Sequence, residues 1–370
     1  MLTLPPSKTY VIAEAGVNHN GDIARAIDMV AAGADAGADA VKFQTFDPAA
    51  LVTADAAKVA YQLANTGDGE SQHAMLERLV LKREDHGVLI DACKKHGVDF
   101  ISTPFDHSSL AFLAHDLDLP TLKFSSGDAT NGPLLLAAAQ TSKTMILSTG
   151  MCTLNDIERA LDVIAWGMTG GDTPISIDAI AGHRDTPDGC AALLQRLAIL
   201  HCVTDYPAPP PSTNLNAMIT MSLHFELTTG FSDHSIGTAI SIGAVAMGAA
   251  IIEKHFTLDR NLPGPDHAAS LMPDELKHMI DGIRDVEVAL GDGTKQPGPA
   301  EVDNAAAVRK SIFATAPIKA GDKFTPENIG CLRPGNGCTP MAYWDLLGQE
   351  ATVNIDVDQT IEFTVPTRGH

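Results

Sequence analysis

The stretch IIEKHFTLDRNLPGPDH, residues 251–267, begins apolar and turns abruptly to charge. Ile251 and Ile252 give way to Glu253, Lys254 and His255, and a Pro-Gly-Pro turn then carries Asp266. The preceding run, IGTAISIGAVAMGAAII at 236–252, invites a membrane reading. It is shorter than the ~20 apolar residues of a span, is broken by Gly and Ser, and runs straight into Glu253. A helix packed on a sheet, then a buried strand, accounts for it better. Ionisable groups at the tip of that strand then read as one wall of an active site.

Seven earlier segments repeat the pattern. Short β-branched runs, the mark of buried parallel strands, occur at Tyr10–Ala15, Ala40–Phe43, Asp99–Ser102, Thr121–Phe124, Thr144–Leu147, Leu197–His201 and Leu227–Phe231, with Ala250–Glu253 as the eighth. Ala/Leu-rich helical stretches alternate with them, and PDELKHMIDGIRDVEVALG at 273–291 supplies the eighth helix. Eight strand–helix units in series predict an α/β fold, a (β/α)8 TIM barrel over residues 1–291. HG and AG pairs after helices predict glycine C-caps.

Two segments depart from the pattern. Asp47–Val80 is too long for a simple connection, and its helical piece HAMLERLV suggests a lid. Met168–Cys190 is a polar insertion placed late in the fifth helix or just after it. Beyond Gly291 the Gly/Pro/Asp-rich stretch 292–310 reads as a linker, and 311–370 as a small, mostly β domain of short strands and tight turns.

The chain has 370 residues and a net charge of −21, with no basic stripe. That excludes a nucleic-acid binder; an anionic substrate would need individual cations set in a pocket. Six cysteines without CxxC spacing, and no basic-then-apolar leader at the N-terminus, predict a reducing, cytoplasmic setting.

Chemistry in such a barrel sits at the C-terminal strand ends. Those positions are Glu14; Lys42 and Gln44; Ser102 and Thr103; Lys123, Ser126 and Asp128; Ser148; Tyr206; Ser232, Asp233 and His234; and Glu253 and His255. Lys42, Lys123 and Ser126, with the small residues of SSGD and STG, suggest an anion site. The alternative is that each lysine pairs with a barrel carboxylate. His234 and His255 end consecutive strands, within reach of one divalent cation, with Glu14 or Asp266 as carboxylate support. Glu14 could ligate metal, exchange protons or stabilise a developing cation. Cys202, beside the sixth tip, has no partner pattern of a nucleophile and reads as a spectator.

The motifs IAEAGVNHNGD, VKFQTF, STPFD, LKFSSGD, LSTGM, HCVTDYPAP, FSDHS, EKHFT and PGPD occur in that order. Together they resemble the sialic acid synthase family, and the tail with IKAGD and LRPGNG resembles its antifreeze-like (SAF) domain. The resemblance implies condensation of phosphoenolpyruvate with the open-chain aldehyde of a 2-acetamido sugar, with phosphate lost by C–O cleavage. It assigns Lys42, Lys123, Ser126 and Ser148 to phosphoenolpyruvate, with Thr103 and Ser232 nearby. It assigns His234 and His255 to Mn²⁺ or Mg²⁺, makes Glu14 and Asp266 pocket carboxylates, and places Gln44 and Tyr206 along the substrate. Arg333 matches an arginine inserted by the partner's tail, which implies a domain-swapped homodimer.

Asp128 stands where neuraminate members carry a glutamate, a reach shorter by one methylene. VTDYPAPPPSTNLNAM and NTGDGESQ look closer to legionaminic acid synthases, which use 2,4-diacetamido-2,4,6-trideoxymannose. The alternative acceptor is N-acetylmannosamine. Readings from other classes are a Schiff-base keto-acid lyase working through Lys123, and a non-enzymatic carbohydrate-binding protein.

Overall fold

The computed structural model describes residues 8–170 and 176–362. Five residues of the polar insertion, 171–175, and the end of the tail, 363–370, lie outside it. The chain divides into two compact units, Met1–Gly291 and Asp292–His370.

The first unit carries eight parallel strands: β1 (Tyr10–Gly16), β2 (Ala40–Thr45), β3 (Asp99–Pro104), β4 (Thr121–Phe124), β5 (Thr144–Ser148), β6 (Leu197–Cys202), β7 (Thr228–Asp233) and β8 (Ile251–His255). Their order is β3-β2-β1-β8-β7-β6-β5-β4, so the last strand pairs with the first. β3 and β4 meet at the seam, completing the barrel.

Side chains alternate between faces along each strand. Outward positions such as Val11, Val41, Phe124, Leu147, Phe231 and Ile252 join the core under the helices. Inward positions low in the barrel, Ile12, Ala40, Ile101, Ile146, Leu200 and Ile251, form a separate apolar plug. Two residues further on, the inward face turns polar: Glu14, Lys42, Thr103, Lys123, Ser148, Cys202 and Glu253. The plug is a dry floor, and everything charged stands above it.

Local sequence explains the helix ends. Asp22 accepts from the N–H groups of Ala24 and Arg25 at the start of Ile23–Asp35, satisfying orphan donors. The helix Arg83–His96 ends on Gly97 at φ +72°, after Lys94, Lys95 and His96 in its last turn. The left-handed geometry and the basic turn suit a helix C-terminus.

Three connections differ from the sequence expectation. A helix, Pro187–Arg196, precedes β6, and its first turn was hidden in the polar insertion. The stretch read as linker contains the helix Pro299–Val308. Pro299 opens it, and Glu301 accepts from the Gly298 N–H, a combination that nucleates helix despite the Gly/Pro surroundings. The lid segment folds into three short helices, Pro48–Leu51, Ala60–Thr66 and Gln72–Glu77.

The second unit has its own core of Ile312, Ala314, Ile318, Phe324, Ile329 and Leu346. Its strands β9 (Ser311–Ala314) and β10 (Ile329–Leu332) pair antiparallel, and isolated bridges extend the pattern. Among the described residues no helix is long and apolar enough to cross a membrane.

Candidate active site

The barrel mouth encloses a cavity of about 350 Å³. At its base lies a charge cluster. The Lys42 ammonium is 2.7 Å from Glu14 Oε2 and 3.6 Å from Glu253 Oε2, and donates to Thr103 Oγ1 at 3.2 Å. Lys123 donates to Ser148 Oγ at 2.7 Å and to the Phe124 carbonyl at 3.0 Å, and stands 3.6 Å from Glu253 Oε1. Glu253, which accepts from Ser232 Oγ at 2.8 Å, thus sits between two ammonium groups. Both lysines pair with carboxylates and both face one cavity, so the two readings of them coexist.

Electrostatics divides this cluster. Burial alone would raise Glu253, but Lys123 and Lys42 hold its carboxyl down at about 2. Burial dominates at Glu14, raised to about 7 against the pull of Lys42. Burial also lowers Lys123, whereas Glu14 and Glu253 overcome it at Lys42, which is raised. Glu253 is the fixed negative charge and Lys42 the fixed positive one. Glu14 and Lys123 are the members for which burial makes charge costliest.

The rim is built from loops. Gly16 ends β1 at φ +52°, and a Cβ there would lie 3.2 Å from Glu14 Oε1 and 3.4 Å from both Gln44 Nε2 and His255 Cε1. Glycine alone suits that crowded left-handed position. Gln44 Nε2 donates to Glu14 Oε1 at 3.3 Å. The Gly150 N–H donates to Ser126 Oγ at 2.9 Å, stitching the β4 and β5 loops together around the end of Lys123. The Tyr206 ring lies 4.0 Å from His234 and 4.8 Å from Tyr61 of the lid, centroid to centroid. Asn65 Nδ2 donates to the Pro265 carbonyl at 2.6 Å, tying the lid to the turn that carries Asp266. Burial pushes Asp266 up to about 6.

The imidazoles of His234 and His255 stand 5.5 Å apart, centroid to centroid. His234 Nδ1 lies 2.7 Å from the Val203 carbonyl; a carbonyl only accepts, so Nδ1 carries a proton and Nε2 is the nitrogen left for a ligand. Burial lowers this imidazole, but Cys202 and the Val203 carbonyl outweigh it and raise it above its ordinary value. Burial holds His255 well below its ordinary value, and hence neutral. Its Nδ1 is buried without a hydrogen-bond partner. Two adjacent imidazoles, one with an orphaned nitrogen, fit a divalent cation. Among the described residues no group of three or more His, Cys, Asp or Glu is arranged to hold a metal ion. The pair would therefore supply two protein donors, the rest falling to water or substrate.

The cavity brings together Glu14, Lys42, Gln44, Thr103, Lys123, Ser126, Ser148, Tyr206, Ser232, His234, His255 and Asp266. It does not bring in Asp128. That carboxylate accepts from Ser125 Oγ at 2.8 Å and Asn131 Nδ2 at 3.1 Å, so it braces its own loop. Arg333 belongs to the second unit, where it is exposed.

Sequence reasoning placed Glu253 in the active-site wall but gave it no part as the hub of the cluster, although it shares the inward face with Ile251 and His255. It also set Cys202 aside, yet its Sγ lies 3.7 Å from His234 Nδ1 and lines the cavity. Tyr61 carried no signal at all; only folding of the lid brings it to Tyr206.

Fold and mouth together define a (β/α)8 enzyme with a lysine–glutamate cluster at the base of its cavity and two imidazoles at the rim. The NeuB family model matches residues 29–295 and the SAF domain residues 309–363, and the chain belongs to the NeuB family. It is 43% identical over 354 residues to N,N'-diacetyllegionaminic acid synthase of Campylobacter jejuni, covering 96% of this chain and 99% of that one. The Legionella pneumophila enzyme of the same name is 39% identical, covering 95% and 93%. Mouse N-acetylneuraminate-9-phosphate synthase is further off at 30%, covering 95% and 91%. Among solved structures, the N-acetylneuraminic acid synthetase of Leptospira borgpetersenii aligns with a TM-score of 0.64 at 30% identity, covering 80% and 90%.

Proposed function

We propose that this chain is an N,N'-diacetyllegionaminate synthase. It condenses phosphoenolpyruvate with 2,4-diacetamido-2,4,6-trideoxymannose and releases phosphate by C–O cleavage. The observation that carries this reading is the pair of buried ammonium groups, Lys42 and Lys123, converging on one cavity beside two imidazoles. The higher identity to legionaminic acid synthases than to the neuraminate-9-phosphate enzyme supports the choice of sugar.

In this reading Lys42 and Lys123, with Ser126 and Ser148, hold the carboxylate and phosphate of phosphoenolpyruvate against their mutual repulsion. The enol carbon C3 bonds to the aldehyde carbon, and the aldehyde oxygen takes up a proton. Positive charge develops at C2 and is stabilised by Glu14 or Glu253. Water adds to C2 and gives up a proton, and the tetrahedral intermediate breaks its C2–O bond to expel phosphate. Glu14 at about 7 and Asp266 at about 6 are the cavity carboxylates suited to exchanging protons near neutrality.

His234 and His255 would hold a divalent cation, Mn²⁺ or Mg²⁺, which supplies Lewis-acid polarisation of the aldehyde when bound. Arg333 from the tail of a second copy would cover the sugar's N-acyl group, making a homodimer with exchanged tails the working form. The six free cysteines suit a reducing, cytoplasmic setting.

The lowered Lys123 amine is also what a Schiff-base lyase needs. One assay separates the two: phosphate release from phosphoenolpyruvate by EDTA-treated and Mn²⁺-reconstituted protein, with each candidate sugar, beside borohydride trapping. Metal-dependent phosphate release with the diacetamido sugar is the expected result. Turnover that ignores the chelator removes the metal. A preference for N-acetylmannosamine overturns the sugar. Borohydride inactivation with pyruvate favours the lyase.

A further inference from the structure

The cavity has two unlike halves. Its base is the charge cluster. Its roof is apolar, made by Leu51, Val52, Leu76 and Leu79 of the lid with Val17 and Phe105 from the β1 and β3 loops. All of these but Val52 belong to, or border, a small hydrophobic cluster separate from both barrel cores, centred on Val17, Phe46, Met75 and Leu79.

The roof is held by contacts within the lid and to the loop after β8. Lys58 is buried inside the lid, where it donates to Thr66 Oγ1 at 2.9 Å and to the Gly67 carbonyl at 3.1 Å. It pairs with Glu70 at 3.3 Å, which also takes Arg78. Asn65 fastens the lid to Pro265. Leu51, Val52 and Leu76 nevertheless remain only partly buried, so apolar surface is left facing the cavity. Such surface gains by covering an apolar part of the substrate.

We infer that this lid roof is the specificity wall for the acceptor sugar, selecting a methyl-bearing, 6-deoxy diacetamido sugar over a hydroxyl-rich one. The inference rests on the synthase reading above and deepens it. A 2,4-diacetamido-2,4,6-trideoxy sugar presents three methyl groups, two acetyl and one at C6. N-acetylmannosamine presents one methyl, with hydroxyls at C4 and C6 that an apolar wall leaves unpaired. A methylene in an apolar pocket discriminates by about 10- to 200-fold. The base, by contrast, has no apolar surface with which to tell the two sugars apart.

The test uses the full-length, metal-loaded enzyme with Leu76→Asn and Leu51→Asn, and Leu76→Met as the conservative control. Three quantities are read: kcat/KM for each sugar, and the Kd of phosphoenolpyruvate by calorimetry without sugar. For the Asn variants, kcat/KM toward the diacetamido sugar is expected to fall by ~10-fold or more. Turnover of N-acetylmannosamine should fall much less or rise, phosphoenolpyruvate should bind as before, and Leu76→Met should recover activity. Unchanged kcat/KM overturns the inference. So does an equal loss for both sugars, or weakened phosphoenolpyruvate binding, either of which marks the roof as merely structural. If the unsubstituted enzyme releases no phosphate with either sugar, the synthase reading itself fails and the inference falls with it.

Discussion

Glu253 and Lys254 are neighbours on β8, both buried and both ion-paired, yet they face opposite sides of the barrel. Outward, Lys254 lies 2.9 Å from Asp233 Oδ2 and donates to the Ser235 carbonyl. Asp233 also accepts from the Ser235 N–H and hydroxyl and from Ser241 Oγ. That pair is saturated. Inward, Glu253 keeps both lysines at 3.6 Å and leaves Oε2 without a hydrogen-bond partner. An anionic ligand needs donors, and Lys42 and Lys123 present theirs to the cavity with Glu253 only at 3.6 Å, whereas the outer pair lies off the cavity and holds the fold. One residue of register separates structure from chemistry.

The contrast can be broken at its outer half first. Lys254→Met leaves Asp233 charged in a site with no exposure, and is expected to cost about 3–5 kcal/mol of stability in urea unfolding. A loss under about 1 kcal/mol would show that the outer pair is not structural.

The inner half is sharpened by pH. Glu14 moves from an ordinary 4.5 to about 7 on burial, so the folded protein holds this proton more tightly than the unfolded chain does. Below pH 4.5 both states are protonated and Glu14 has no effect on stability. Between 4.5 and 7 only the unfolded chain ionises freely, so stability falls as pH rises, by about 3 kcal/mol in all. Glu253, depressed to about 2, acts in the opposite direction and mostly below pH 4.5. Glu14→Gln in chelator-treated protein should remove Glu14's share of that downward slope, leaving the part that Asp266, raised to about 6, contributes below pH 6. An identical slope in the variant would refute the raised Glu14.

The smallest expected effect lies in the lid. Tyr61 lines the cavity and meets the Tyr206 ring at 4.8 Å, a contact worth about 0.5–1.5 kcal/mol. Tyr61→Ala should raise the sugar KM by up to ~10-fold, with Tyr61→Phe near normal. An equal effect of both variants would assign the role to the hydroxyl instead of the ring.

Much of this was legible beforehand, for a physical reason. Parallel strands buried on both faces leave apolar runs that end where the barrel opens, so strand tips and their polar residues could be read directly. The strands nonetheless continue past those runs: Gln44 and Thr45 on β2 and His255 on β8 are polar residues in strand, because a ladder needs only backbone. The helix Pro299–Val308 was missed because its Gly/Pro flanks imitate a linker. Asp128 lies off the cavity lining, since position at a strand tip does not say which way a loop side chain turns. Glu253 was visible as a charge, but its part between two lysines from β2 and β4 depends on closure around the barrel. Tyr61 meeting Tyr206 is a contact between distant loops, and neither periodicity nor spacing encodes it.

Phosphoenolpyruvate titrated calorimetrically into Lys123→Met and into Lys254→Met tests the central claim most directly, with Lys254→Met plus Asp233→Asn as the outer-face control if the single variant does not fold. Binding lost by at least ~100-fold in the inner variant and kept within a few-fold in the outer one is the predicted result, the loss of one buried charge pair being worth several kcal/mol. Binding retained by Lys123→Met, or lost equally by a folded outer variant, would contradict it.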